Sequence, residues 1–425
     1  MVAREIVKMA TKSNNPREDM PQQRHILTFK IFLMKIYRLK VCFSLIALWV
    51  AFDGYSQKSE LDPYVDFLRR QNTSAVDYVF ELFEKYDIVI LGERDHRDIT
   101  QYQFINEIIS DRRFIQNVGH IFTEVGVHNQ TERANEILAN KYDDYSVFER
   151  DLMRLYRDLN YWSVWEKYNF WYLLSTIYHI NASLDDTRKL TIHFTDIPFD
   201  WDNYFDAEAY AEVHDRDSIM GNNFIDDFDK IRQNPNEPRK KALVIMNTRH
   251  SFKDHPKAVW RKSAASVIFD RYPGSVANVM INNTTLTEIV DDPDHLIERG
   301  KWDAAFKYVD NPELGFDMAD SPFGEDILQF YEQPSAVEYK EVFTGFVFYK
   351  PISEWILMLG IPGFVDEEFK PEFIRRCKLS RPDAETEDIL SSDIRYCNSL
   401  RIRDHFQGND VSREQVERWI NYWLQ

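Results

Sequence analysis

Three cysteines in 425 residues leave little room for thiol chemistry. Cys42 falls in an apolar N-terminal run, so only Cys377 and Cys397 remain, near the C-terminus. They form either one disulfide or two buried thiols, and neither stands in a motif that marks a nucleophile. A serine nucleophile lacks its signature too. No Gly-x-Ser-x-Gly elbow occurs, which argues against an acyl-enzyme hydrolase. No His-Glu-x-x-His pair marks a zinc-binding helix. There is no internal repeat and no long low-complexity linker. The apolar stretch Val41 to Phe52 is far shorter than the roughly 20 residues a membrane-spanning helix needs. Basic residues are outnumbered, with 52 Lys and Arg against 70 Asp and Glu and a net charge of −18. An acidic surface repels nucleic acid and anionic membranes, so neither is expected as a partner.

What is present begins with the N-terminus. Lys35, Arg38 and Lys40 precede the apolar stretch, and Gly54 and Ser56 follow it at the spacing of a signal-peptidase site. Residues 34–56 read as a secretory signal, which implies export to the periplasm or beyond. Residues 1–33 then read as a non-native extension ahead of a start at Met34. Without residues 1–57 the net charge becomes −23. Aromatic residues make up 15% of the chain, enough to build a sizeable core.

Several continuous apolar runs predict strands buried on both faces: Ile88 to Leu91, Ile121-Phe122, Leu190 to Phe194, Leu243 to Met246, Val276 to Ile281 and Phe343 to Tyr349. Between them lie helical patterns at 99–109 and 206–232, and a long one at 131–180. Strands alternating with helices predict an α/β fold, a mainly parallel sheet flanked by helices. A helical insertion, about residues 131–185, separates the second and third strands. Residues 57–360 read as the α/β domain and 361–425 as a helical C-terminal extension. Ser412 and Gln415 read as a capping box at the head of its last helix.

The polar residues fall at strand ends. The first strand runs into Gly92-Glu93-Arg94-Asp95-His96, the second into Glu124, the third into Asp196 and the fourth into Asn247-Thr248-Arg249-His250. Ligands of open α/β sheets bind at the carboxyl ends of strands. An imidazole titrates near neutral pH, so His96 is expected to act as a base on water, with Glu93 or Glu124 orienting it. His250 is expected to protonate a leaving group or polarise a carbonyl. Asp196, Arg216, Asn247 and Arg249 are expected to contact the substrate, the two arginines anchoring an anionic group. No cofactor is expected. If a metal is used, Glu93, His96, Glu124 and His250 are the residues to hold it. Asp217, beside Arg216, reads by default as half of a solvated ion pair. Tyr161, Trp162, Trp165, Tyr168, Trp171 and Tyr172 either fill the core or line an apolar pocket.

These residues also resemble a known family. Ile88 to His96 resembles the Leu-Gly-Glu-x-x-His signature of erythromycin esterase-like proteins. Thr123-Glu124, Phe194-Thr195-Asp196, Arg216-Asp217-x-x-Met220 with Asn222 and Asn223, Ala242 to His250 and Gly345 to Pro351 resemble that family's later motifs in the same order. The resemblance implies an exported hydrolase that cleaves an ester or lactone of a small-molecule substrate. It implies Glu93 and His96 as the catalytic pair, Glu124 and His250 as further site residues, and Arg216 as a contact within the site. The sequence departs from the family at Asn247 (a His there), Arg97 (a Gly) and Tyr102 (often a Glu), and Arg249 is an added cation. The wider superfamily also resembles haem-uptake lipoproteins of the ChaN type and Tiki metalloproteases. Those relatives imply the alternatives, a haem or small-ligand binder or a metal-dependent peptidase.

Overall fold

A computed structural model describes residues 60–203, 216–257, 262–285, 293–330, 336–407 and 411–425. The expected leader and extension over residues 1–56 lie outside the described residues, as does the first part of the helix expected over 206–232. Residues from Leu61 to Gln425 form one compact unit.

Its centre is a seven-stranded sheet of β1 (Ile88–Glu93), β2 (His120–Val127), β3 (Thr191–Asp196), β4 (Ala242–Asn247), β5 (Val276–Ile281), β6 (Leu314–Asp317) and β7 (Gly345–Phe348). The strand order is β3-β2-β4-β1-β5-β7-β6, parallel throughout except for β6, which runs antiparallel to β7. Each run of apolar residues named in the sequence becomes a strand. The reason is visible in β1, where every residue is buried. Val89 and Leu91 join a core shared with the helices Ala75–Lys85, Ile99–Ser110 and Tyr168–Ala182, while Ile88 and Ile90 join one shared with Arg216–Gln233 and Ala264–Arg271. Both faces are covered, so no position in the strand can be polar until it reaches the edge. Each such Val, Leu or Ile contributes about 1.5–3 kcal/mol on burial.

The expected insertion consists of three helices, Thr131–Ala139, Tyr145–Asp158 and Tyr168–Ala182. The C-terminal segment departs from expectation in not being wholly helical. β9 (Arg401–Asp404) pairs antiparallel with β8 (Ile356–Leu359) in a separate two-stranded sheet. β8 braces the loop after β1: the Met358 N–H donates to the Arg97 carbonyl (2.8 Å) and the Ile356 N–H to Thr100 Oγ1 (2.9 Å). The final helix, Arg413–Tyr422, starts with the Ser412–Gln415 capping box. Cys377 and Cys397 are buried free thiols, which resolves that pair of alternatives. Among the described residues no helix is long and apolar enough to cross a membrane.

Candidate active site

Because β1 to β4 run parallel, their carboxyl ends share one edge, and the fold delivers the strand-end residues there together. Two backbone devices aim them. Between Thr123 and Val127 the pairing of β2 with β3 shifts register, so the bulged segment lifts Glu124 out of the ladder. Gly126, in that bulge, has φ +114°, and a Cβ there would stand 2.4 Å from the Phe194 ring. Gly92 serves a different purpose. Its φ is not positive, and the missing side chain admits Ser251 Oγ, which would lie 2.9 Å from a Cβ.

Glu124 is the hub. Its Oε1 lies 3.0 Å from Arg216 Nη2, 3.5 Å from His250 Nε2 and 3.6 Å from His96 Nε2. Its Oε2 accepts the Asn247 backbone N–H at 2.6 Å. Burial alone would raise its pKa, but His250, Arg216 and His96 hold it well below the usual carboxylate range. His96 sits between two carboxylates, with Nδ1 3.2 Å from Glu93 Oε2. Burial would push this imidazole down, yet Glu93 and Glu124 outweigh it and lift the pKa to about 10. At neutral pH His96 therefore carries a proton. Its side chain is still 25% exposed, so that proton is reachable.

Glu93 is buried and held from behind. Gln101 Nε2 donates to its Oε1 at 3.4 Å and Asn169 Nδ2 reaches the same atom at 3.5 Å. The Tyr102 hydroxyl donates to it as well, which pushes the Tyr102 pKa up beyond what burial does. Gln101 also accepts the Arg94 N–H (2.6 Å) and donates to the Asp95 carbonyl (2.7 Å), so it sets the shape of the whole loop.

His250 has a different setting. Its Nδ1 is 2.7 Å from Asp217 Oδ1, an atom that also accepts the Ala264 N–H at 2.9 Å. Its Nε2 is 3.3 Å from Arg216 Nη1. A guanidinium can only donate, so Nε2 accepts in that contact, and in the neutral ring the proton sits on Nδ1, facing Asp217. Asp217 is thus no solvated ion pair. It belongs to the site and orients His250. Arg216 turns the other way, gripping Asp196 through Nε (2.8 Å) and Nη2 (2.8 Å). Burial raises the Asp196 pKa against the pull of that guanidinium.

All eight residues singled out in the sequence lie at this edge, but not all reach into it. The Asn247 side chain is spent on backbone, with Nδ2 donating to the Arg94 carbonyl (3.0 Å) and Oδ1 accepting the Arg249 N–H (3.3 Å). Arg249 is exposed at the rim, whereas Arg216 is committed to Glu124 and Asp196. Arg97 turns aside onto Asp95 (2.6 Å). Sequence reasoning missed Asp217, Gln101 and Asn169. Among the described residues no group of three or more His, Cys, Asp or Glu side chains is arranged to hold a metal ion. The Arg216 guanidinium occupies the space between Glu124, Asp196 and His250 where a cation would be drawn.

No protein-family profile matches the chain, and no curated protein matches it in sequence. Among solved structures it is similar to an erythromycin esterase in its open conformation, with 12% identity and a TM-score of 0.40 over 66% of this chain and 96% of that one. A Bacillus cereus protein gives 9% identity and 0.40, over 68% and 97%. A succinoglycan biosynthesis protein gives 9% and 0.39, over 64% and 89%. Likeness of this degree assigns neither a family nor an activity.

Proposed function

We propose that the chain is a hydrolase that cleaves a carboxylic ester or lactone by direct attack of water. The observation that carries this reading is the pair of imidazoles on either side of Glu124, His96 held protonated between two carboxylates and His250 with Nδ1 on Asp217 and Nε2 against the Arg216 guanidinium. An acid and a base placed within reach of one carboxylate are what acid–base hydrolysis requires. The electrostatics exchange the roles expected from sequence, because an imidazole kept charged between Glu93 and Glu124 is an acid rather than a base.

In this reaction His250 Nε2 takes a proton as the water oxygen bonds to the carbonyl carbon. His96 gives its proton to the departing alkoxide oxygen as the carbon–oxygen bond breaks. The products are a carboxylic acid and an alcohol. Glu124, within 3.6 Å of both Nε2 atoms, returns the proton from His250 to His96 and resets the site. Asp217 keeps His250 in the tautomer that can accept, and Gln101 and Asn169 hold Glu93 so that it cannot swing away from His96. The ordered motifs shared with erythromycin esterase-like proteins support the same reading. A haem-binding role would need an imidazole nitrogen clear of partners, and each of the four ring nitrogens here faces a charged group.

The test is turnover of a panel of ethyl esters and lactones followed by pH-stat, with and without a chelator. We expect hydrolysis that survives the chelator and is lost in both His96→Gln and His250→Gln. Turnover equal in all three proteins, or none on any substrate, would remove the assignment.

A further inference from the structure

The loop that crosses the mouth of this site, between the helices Tyr145–Asp158 and Tyr168–Ala182, is aromatic: Tyr161, Trp162 and Trp165. It is tied down. The Leu159 carbonyl accepts the Val127 N–H (2.9 Å) just beyond the Glu124 bulge, and the Asn160 carbonyl accepts Trp201 Nε1 (3.1 Å). The three rings are disposed unequally. Trp165 is buried and stands over the site, its ring 6.0 Å from that of His96. Tyr161 is buried too, and feels the charges of Arg216, Asp196 and Glu124. Trp162 packs against Tyr161 with ring centroids 5.2 Å apart and planes tilted by 36°, yet 53% of it is exposed. It is the only tryptophan left exposed among the described residues. The Trp162 N–H donates to Asn160 Oδ1 (2.8 Å), so the backbone that presents the ring is fixed. A large flat ring on a pinned loop, stepping inward through Tyr161 to Arg216, is arranged for contact with something other than its own core.

We infer that Trp162 and Tyr161 form a stacking platform that selects esters carrying a flat, uncharged ring. This rests on the hydrolase reading of the site below it and names the substrate class. The ring must be uncharged because both cations deep in the site are already bound, Arg216 to Glu124 and Asp196 and the protonated His96 to Glu93 and Glu124. An added carboxylate carried into the site would meet Glu93, Glu124, Asp196 and Asp217, with Arg216 and His96 already committed to them and Arg249 left outside at the rim. This replaces the anionic anchor expected from sequence with an apolar one.

The discriminating experiment compares ethyl 2-naphthoate with ethyl acetate, and separately measures binding of 2-naphthamide to the His96→Gln protein by calorimetry. Trp162 is on the surface, so Trp162→Ala should fold as the parent does. An aromatic pair contributes enough that its loss is expected to lower the naphthoate-to-acetate ratio of kcat/KM by roughly 3- to 10-fold. Naphthamide affinity should fall by a similar factor, and Trp162→Phe should restore most of both. Naphthamide binding that is absent, or equal with and without Trp162, overturns the platform even where esters are turned over. Trp162-dependent naphthamide binding without turnover of any ester supports the platform and removes the hydrolase reading instead.

Discussion

Replacing Arg216 by methionine is expected to lower folding stability by about 3–5 kcal/mol and to abolish ester turnover. The size follows from what the guanidinium holds. It bonds Asp196 through two nitrogens at 2.8 Å and Glu124 at 3.0 Å, and both carboxylates are almost wholly buried. Methionine fills similar space but leaves two buried carboxylates facing one another with no fixed positive charge between them. The damage should be partly reversible in a telling way. Adding Asp196→Asn to Arg216→Met removes one of the stranded charges and should recover part of the loss, visible as a higher urea midpoint than in the single variant. Arg216→Lys should not rescue fully, because one ammonium cannot reproduce the fork that grips Asp196 while also reaching Glu124 and His250. A urea midpoint for Arg216→Met within error of the parent would show that the guanidinium is not the keystone of this edge.

His96→Gln is expected to reduce turnover by roughly 10²- to 10⁴-fold, the range that one positioned acid contributes. It should also change how stability depends on pH, and the sign can be worked out. The folded-state pKa of His96 is about 10, raised above the 6.5 of an ordinary histidine. Below about 6.5 the folded and unfolded chains both carry the proton, so the stabilisation from Glu93 and Glu124 is fully present. Between 6.5 and 10 only the folded chain keeps it, and stability falls as pH rises. Above about 10 the contribution is gone. The stability gap between parent and His96→Gln should therefore be widest near pH 6 and should close towards pH 10.5. Urea melts at the two pH values check this, and a gap that widens with pH would contradict it.

Much of the fold was legible because the sheet is parallel and covered on both faces. Such strands are apolar along most of their length, and a cluster of polar residues then marks the edge. Glu93 and Asn247 could be located by that rule, whereas Glu124 and Asp196 each lie one residue beyond a threonine. What could not be read was which way each side chain turns after it arrives. Asn247 looks like a binding residue in sequence, but it caps the turn it opens. Asp217 looks like the partner of its neighbour Arg216, yet the two do not pair: Asp217 bonds Nδ1 of His250, while Arg216 faces its Nε2 and grips Asp196 and Glu124. Asn169 reaches Glu93 across 76 residues from inside the helical insertion, with no periodicity to announce it. The short edge strand Leu314–Asp317 and the charged strand Arg401–Asp404 left no apolar run to stand out, and the apolar run at 355–359 gave no sign of a partner so far along the chain. The roles of the two imidazoles were least legible of all. Nothing in the chain order says that His96 will be sandwiched by carboxylates while His250 meets a guanidinium.

That assignment of proton states is the central claim, and a pH–rate profile addresses it directly. kcat/KM for an ethyl ester, followed by pH-stat from pH 6 to 11 and corrected for spontaneous hydrolysis, should fall as pH rises through about 10, where His96 loses the proton it must donate. A rate that instead climbs through about 10 to a plateau would mean that His96 works as the base, and the division of labour argued for this site would be wrong.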